Sequence, residues 1–218
     1  MKTSFKKRAV IFDVDGVMLD SEPFFAQGRT AVAEMYGLKQ IGGNLNGSGM
    51  NAFWKSMLAE NGRDDLDAGS LSDATFDFCL KKITDSALRE TDGLTHLLDA
   101  IKDRYALAVG SSSVRRYIDF VLDYLGVKKY FSVIVCGDEV DCAKPRPDIY
   151  LKDLQMLGLR AEQCFVVEDS DNGMKAAVDA GIPCLGLKLA HSVQKLDKCA
   201  RVFSSMRELE AFLMQKAE

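Results

Sequence analysis

The chain has 218 residues, 47% of them hydrophobic and 28% charged, with a formal net charge of -4. That length and apolar content support one large domain, or one domain carrying an insertion, around a substantial core. The acidic balance argues against a nucleic-acid surface, so an anionic ligand must find its positive charge locally, in a lysine, a metal or helix N-termini.

The basic start, Met1 to Arg8, is followed by only a short apolar run, Ala9–Phe12, too brief for a signal peptide or a membrane span. This run predicts a buried first strand that ends abruptly in Asp13-Val14-Asp15-Gly16. Strand alternation points Asp13 and Asp15 to the same side. Two carboxylates that close repel each other unless a divalent cation neutralises them or one stays protonated. One carboxylate can attack phosphorus, and a neighbouring carboxylic acid can protonate the leaving group. A calcium loop carries its glycine at the sixth position, whereas here glycine follows Asp15 at once.

Residues 22–91 read as helices only, at 24–35, 52–59 and 74–83, separated by a Gly/Asn-rich stretch at 42–49 and an acidic turn at 63–67. This pattern predicts an all-helical insertion after the first strand. Strand-helix alternation then resumes, with strands at 106–109, 133–136, 165–167, 184–187 and 202–203 and helices at 94–102, 118–125, 149–157, 174–180 and 206–214. Alternation of this kind predicts an α/β fold, a parallel sheet with helices on both faces, with ligands at the carboxyl ends of the strands.

Three later strand ends carry chemistry. Ser111 ends the second strand, where its hydroxyl either contacts a phosphoryl oxygen or caps the next helix. Lys144-Pro145-Arg146-Pro147 fixes a loop, and a lysine held there beside two acids binds phosphate; the bland alternative is a solvated lysine. Glu168-Asp169 ends the fourth strand and offers a hard oxygen ligand in Asp169, with Asp171 and Asn172 read as capping or solvated. The six cysteines form no C-x-x-C pair and His96 and His191 lie far apart, which disfavours zinc. Scattered thiols suit a reducing, cytoplasmic setting.

Asp13-Val14-Asp15-Gly16, Ser111, Lys144 through Asp148, and Glu168-Asp169-Ser170 with Gly173, in this order, resemble the haloacid dehalogenase superfamily of phosphotransferases. Asp20-Ser21-Glu22-Pro23 and Lys144 through Tyr150 are similar to its β-phosphoglucomutase-like branch, which includes sugar-phosphate phosphatases. The resemblance implies a Rossmann-like core at 1–20 and 92–218 and a helical cap at 21–91. It implies an aspartyl-phosphate on Asp13. Asp15 would act as acid and base, its backbone carbonyl touching the metal. Ser111, Ser112 and Lys144 would hold the phosphoryl group. Mg2+ would be bound among Asp13, Asp15, Glu168 and Asp169. Substrate choice is expected at Phe25, Asn46, Met50, Trp54 and Arg115.

The expected activity is Mg2+-dependent hydrolysis of a small phosphorylated metabolite such as a sugar or polyol phosphate, with neither nucleic acid nor membrane as partner. A β-phosphoglucomutase-type mutase is the alternative, but that enzyme has a histidine where this chain has Phe25 and an arginine where it has Met50. A dehalogenase of the same fold lacks the second acid. A non-catalytic binding protein is disfavoured because every core group is present.

Overall fold

The computed structural model describes residues 8–39, 49–188 and 192–217. Its strands are β1 (Ala9–Phe12), β2 (Ala106–Gly110), β3 (Val133–Val135), β4 (Cys164–Glu168), β5 (Cys184–Leu187) and β6 (Arg201–Phe203). Its helices are α1 (Glu22–Met35), α2 (Met50–Asn61), α3 (Ala68–Asp85), α4 (Leu94–Ile101), α5 (Arg115–Tyr124), α6 (Asp148–Leu157), α7 (Asp171–Asp179) and α8 (Met206–Lys216). All strand pairs are parallel, in the order β3-β2-β1-β4-β5-β6. This is the α/β parallel sheet expected from the strand-helix alternation, with the Rossmann-like architecture that the resemblance implies.

The inner strands β1, β4 and β5 are buried along their whole length because both faces of the sheet are covered there. Side chains alternate between two cores. Val10, Phe12, Leu107, Val109, Phe165 and Val167 pack with α4, α5 and α8 on one face. Ala9, Ile11, Ala108, Cys164 and Val166 pack with α6 and α7 on the other. Burying one such aliphatic or aromatic side chain is worth about 1.5–3 kcal/mol, so the all-buried β1 anchors the sheet.

The chain builds outward from β1 to β3, then returns to β4 on the other side of β1. The strand order therefore reverses between β1 and β4, and ligands in such sheets sit outside the carboxyl ends at that reversal. Register makes the consequence specific. Phe12 lies opposite Val109 on one side and Val167 on the other. The next residues of the three strands, Asp13, Gly110 and Glu168, therefore emerge together.

Between β1 and α4 the chain forms α1, α2 and α3, packed around Val32, Ala33, Trp54, Met57, Leu58 and Leu71. Phe25, Phe76 and Cys79 from these helices join the main core. α3 begins well before the expected residue 74. Asp67, read as part of an acidic turn, is its N-cap and accepts the Ser70 N–H at 2.8 Å. The Gly/Asn-rich stretch lies mostly outside the described residues. No helix among the described residues is long and apolar enough to cross a membrane.

Candidate active site

The two aspartates that end β1 occupy different surroundings. Asp13 faces the end of β4. There the buried Lys144 ammonium donates to Asp13 Oδ1 at 2.7 Å, to Glu168 Oε1 at 2.6 Å and to the Gly110 carbonyl at 2.8 Å. The loop that delivers Lys144 contains a cis Lys144–Pro145 peptide, and α6 follows directly. Glu168 is fully buried and also accepts from the Tyr150 hydroxyl at 2.5 Å and the Ser170 hydroxyl at 3.1 Å.

Asp15 is turned into a cage of hydroxyls. Its Oδ1 accepts from Ser21 at 2.6 Å and Tyr117 at 2.8 Å, and its Oδ2 accepts from Ser113 at 2.9 Å. Burial raises the Asp15 pKa, and the three hydroxyl bonds only partly offset this. A carboxylic acid that keeps its proton upward of the usual range suits general acid work. Phe25 braces the cage from α1, its ring 5.3 Å from that of Tyr117.

One oxygen each from Asp13, Glu168 and Asp169 lie within 4.8 Å of one another. Burial raises Asp13, and the charges of Glu168 and Asp15 add to this against the pull of Lys144. Burial, then Glu168 and Asp13, raise Asp169 well above the ordinary carboxylate range. For Lys144 burial alone would lower the pKa, but the Asp13 and Glu168 charges win and hold it above the usual lysine value. One ammonium thus faces three carboxylates, and the set fits a further hard cation. Glycines make room for it. Gly16, at φ +82°, passes so close that a Cβ would collide with the Asp169 carboxylate, and one at Gly173 would collide with Glu168.

A single cavity gathers Asp13, Asp15, Ser111, Ser112, Lys144 and Asp169 from the sheet end and Phe25 and Met50 from the helices above. Ser111 is buried, its hydroxyl accepting the Ser113 N–H at 3.2 Å. Two expected substrate residues are placed elsewhere. Trp54 is fully buried among α1–α3, its Nε1 donating to Thr75 Oγ1 at 3.0 Å, because its indole satisfies both the helical core and that one hydroxyl. Arg115 is held by Glu139 at 2.7 Å and the Ile134 carbonyl at 2.6 Å, and does not line the cavity. Asn46 lies outside the described residues. The Asp15 carboxylate, expected among the metal ligands, is not part of this acidic trio, because Ser21, Tyr117 and Ser113 hold its two oxygens.

The structure adds residues the sequence reading lacked. Glu22, Arg29, Phe53, Phe76, Ser113 and Gln194 also line the cavity. Glu22, Phe25 and Arg29 are spaced i, i+3, i+7, a helical face legible in principle. Gln194 comes from an irregular segment and leaves no periodic signal.

The family model for haloacid dehalogenase-like hydrolases matches residues 10–187. The chain belongs to the haloacid dehalogenase-like hydrolase family. Its relatives include a phosphorylated carbohydrates phosphatase of Thermotoga maritima, 32% identical over 80% of this chain and 82% of that protein. The fructose-1-phosphate phosphatase YqaB of Escherichia coli is 32% identical over 83% of this chain and 96% of that protein. Among solved structures, CbbY from Rhodobacter sphaeroides with phosphate superposes with a TM-score of 0.82 at 23% identity, covering 93% of this chain and 96% of that one. A β-phosphoglucomutase from Clostridium difficile gives 0.82 at 22% identity over 97% of each chain. At those identities the two structures show that this hydrolase shares their fold.

Proposed function

We propose that this chain is a Mg2+-dependent phosphatase that hydrolyses a small phosphorylated metabolite, of the sugar or polyol phosphate class, through an aspartyl-phosphate on Asp13. The observation that carries this reading is the division of surroundings between the two β1 acids. Asp13 sits against a fixed ammonium, as a nucleophile attacking an anion requires. Asp15 is held in place by three hydroxyls, and its burial outweighs their donated bonds and favours its protonated form, as an acid requires. The two named relatives, which act on a fructose phosphate and on phosphorylated carbohydrates, support the substrate class.

In this mechanism an Asp13 carboxylate oxygen attacks phosphorus, and the bond from phosphorus to the alcohol oxygen breaks. Asp15 gives its proton to that oxygen. Asp15, now ionised, then takes a proton from a water, which attacks the same phosphorus and releases phosphate and free Asp13. Ser111, Ser112 and Lys144 position the phosphoryl group, and Glu168 holds Lys144 in place. Asp13 and Asp169, with Glu168 behind them, would hold Mg2+, which neutralises phosphoryl charge when bound.

In the same reading 21–91 form a cap over a core of 1–20 and 92–218. The apolar wall of Phe25, Met50, Phe53 and Phe76 encloses the leaving group without gripping a second phosphate, which favours water over a sugar as acceptor. The free thiols suit a reducing compartment, and the cytoplasm is the setting we assign.

The test is a panel of phosphorylated metabolites assayed for phosphate release with Mg2+ and with EDTA. Mg2+-dependent release from sugar or polyol phosphates supports the reading. Incubation with β-glucose 1-phosphate and a trace of the 1,6-bisphosphate, followed by phosphorus NMR, separates the mutase. Glucose 6-phosphate forming much faster than phosphate would replace the phosphatase reading.

A further inference from the structure

Arg29 brings positive charge to the cap-side wall of the cavity. Its guanidinium stacks 5.4 Å from the Phe53 ring centre. Among the described residues no carboxylate lies within 4.0 Å of it and no acceptor completes a hydrogen bond to it. Burial pushes the guanidinium below its ordinary pKa, against the pull of Glu22. A planar group with five N–H donors, partly withdrawn from water and left without acceptors among the described residues, is a fork waiting for oxygen atoms.

Its position says where those oxygens belong. Arg29 also lines the groove that leads from the cavity past α1 to solvent, together with Asp20, Glu22 and Gln194. A phosphoryl group over Asp13 would send its leaving group toward this junction. The charge there is already matched. Glu22 faces Arg29 from one side and is itself pushed up by burial and by Asp15, while Asp20 and Asp169 line the same groove. A second anionic group would meet these acids, whereas a hydroxyl can accept from Arg29 and donate to Glu22.

We propose that Arg29 is a specificity-determining residue that donates its guanidinium fork to hydroxyl oxygens of a neutral, polyhydroxylated leaving group, while neighbouring acids disfavour leaving groups that carry a second anion. This rests on the phosphatase reading above and narrows it.

The experiment measures kcat and KM with Mg2+ for three phosphomonoesters. They are a hexose or hexitol monophosphate, a phosphorylated carboxylate (phosphoglycolate), and an aryl phosphate without hydroxyls. The wild type should prefer the polyol phosphate to phosphoglycolate by about tenfold or more in kcat/KM. Arg29→Gln should lower kcat/KM for the polyol phosphate roughly 10- to 100-fold, chiefly through KM. The loss on the aryl phosphate should be at least about tenfold smaller. Arg29→Lys, which keeps the charge and loses the fork, should show the same ordering and covers the case in which the glutamine variant misfolds.

Equal losses on the polyol and aryl substrates would overturn the proposal, and so would a loss under about threefold on the polyol. A wild-type preference for phosphoglycolate that vanishes in Arg29→Gln would overturn it by showing that Arg29 reads an anion. Failure to release phosphate from any substrate, the aryl ester included, would overturn the phosphatase reading and this inference with it.

Discussion

Removing Lys144 is the most informative perturbation of the site, because its ammonium separates two buried carboxylates. It makes contacts of 2.7, 2.8 and 2.6 Å with Asp13, the Gly110 carbonyl and Glu168. In Lys144→Ala both carboxylates keep their burial and lose their counter-charge. Breaking a buried ion pair by deleting one partner costs about 3–5 kcal/mol. For a chain of this length each kcal/mol shifts Tm by about 2–4 °C, so Tm should fall by roughly 6–20 °C in metal-free buffer. Adding Glu168→Gln to Lys144→Ala removes one of the stranded charges and should restore part of that loss, while phosphate release stays abolished in both. Thermal unfolding by circular dichroism reads the stability, and a phosphate assay reads the activity. A Lys144→Ala Tm within about 2 °C of wild type would refute the electrostatic argument. So would a double variant less stable than the single one.

The remaining expectations address the other groups of the site. Asp15→Asn should impair turnover severely with poor alcohol leaving groups and much less with an activated aryl phosphate; equal impairment with both counts against its role as acid. Asp169→Ala should raise the Mg2+ concentration needed for half-maximal activity, and an unchanged titration would remove Asp169 from the metal site. Asp153 on α6 is fully buried with neither carboxylate oxygen partnered, beneath Gly110. Burial, opposed by Lys144 and reinforced by Glu139, holds its pKa well above the ordinary value. The unfolded chain therefore loses this proton first, and stability drains as pH rises above about 4, by up to about 1.4 kcal/mol per pH unit. Asp153→Ala lacks that drain, so its Tm relative to wild type should improve from pH 5 to pH 8; an equal difference at both would contradict the burial argument.

What the sequence made legible follows from how each feature is built. β1 and β5 are buried on both faces of the sheet, so they stand out as short apolar runs with the bounds expected. The acids that end β1 and β4 are legible for the same reason, since a carboxylate breaks an apolar run only where the chain leaves the sheet. The cage around Asp15 was not legible, because Ser113 and Tyr117 reach it across 98 and 102 residues of chain. Trp54 and Arg115, expected at the substrate, are committed elsewhere, one to the packing of α1–α3 and the other to Glu139. Arg29 is illegible in the sequence for the converse reason. Periodicity gives a helix its faces, but only packing decides which face looks into the cavity.

The most direct test of the whole account is to look for the phosphoryl group on Asp13. The enzyme is mixed with a turned-over substrate carrying radiolabelled phosphate and Mg2+, quenched in acid within one turnover, and digested for peptide mapping. The account predicts a hydroxylamine-labile acyl phosphate on the peptide containing Asp13, absent in an Asp13→Asn variant that folds normally and releases no phosphate. Label on another residue, or an Asp13→Asn variant that retains more than a trace of wild-type kcat, would contradict it.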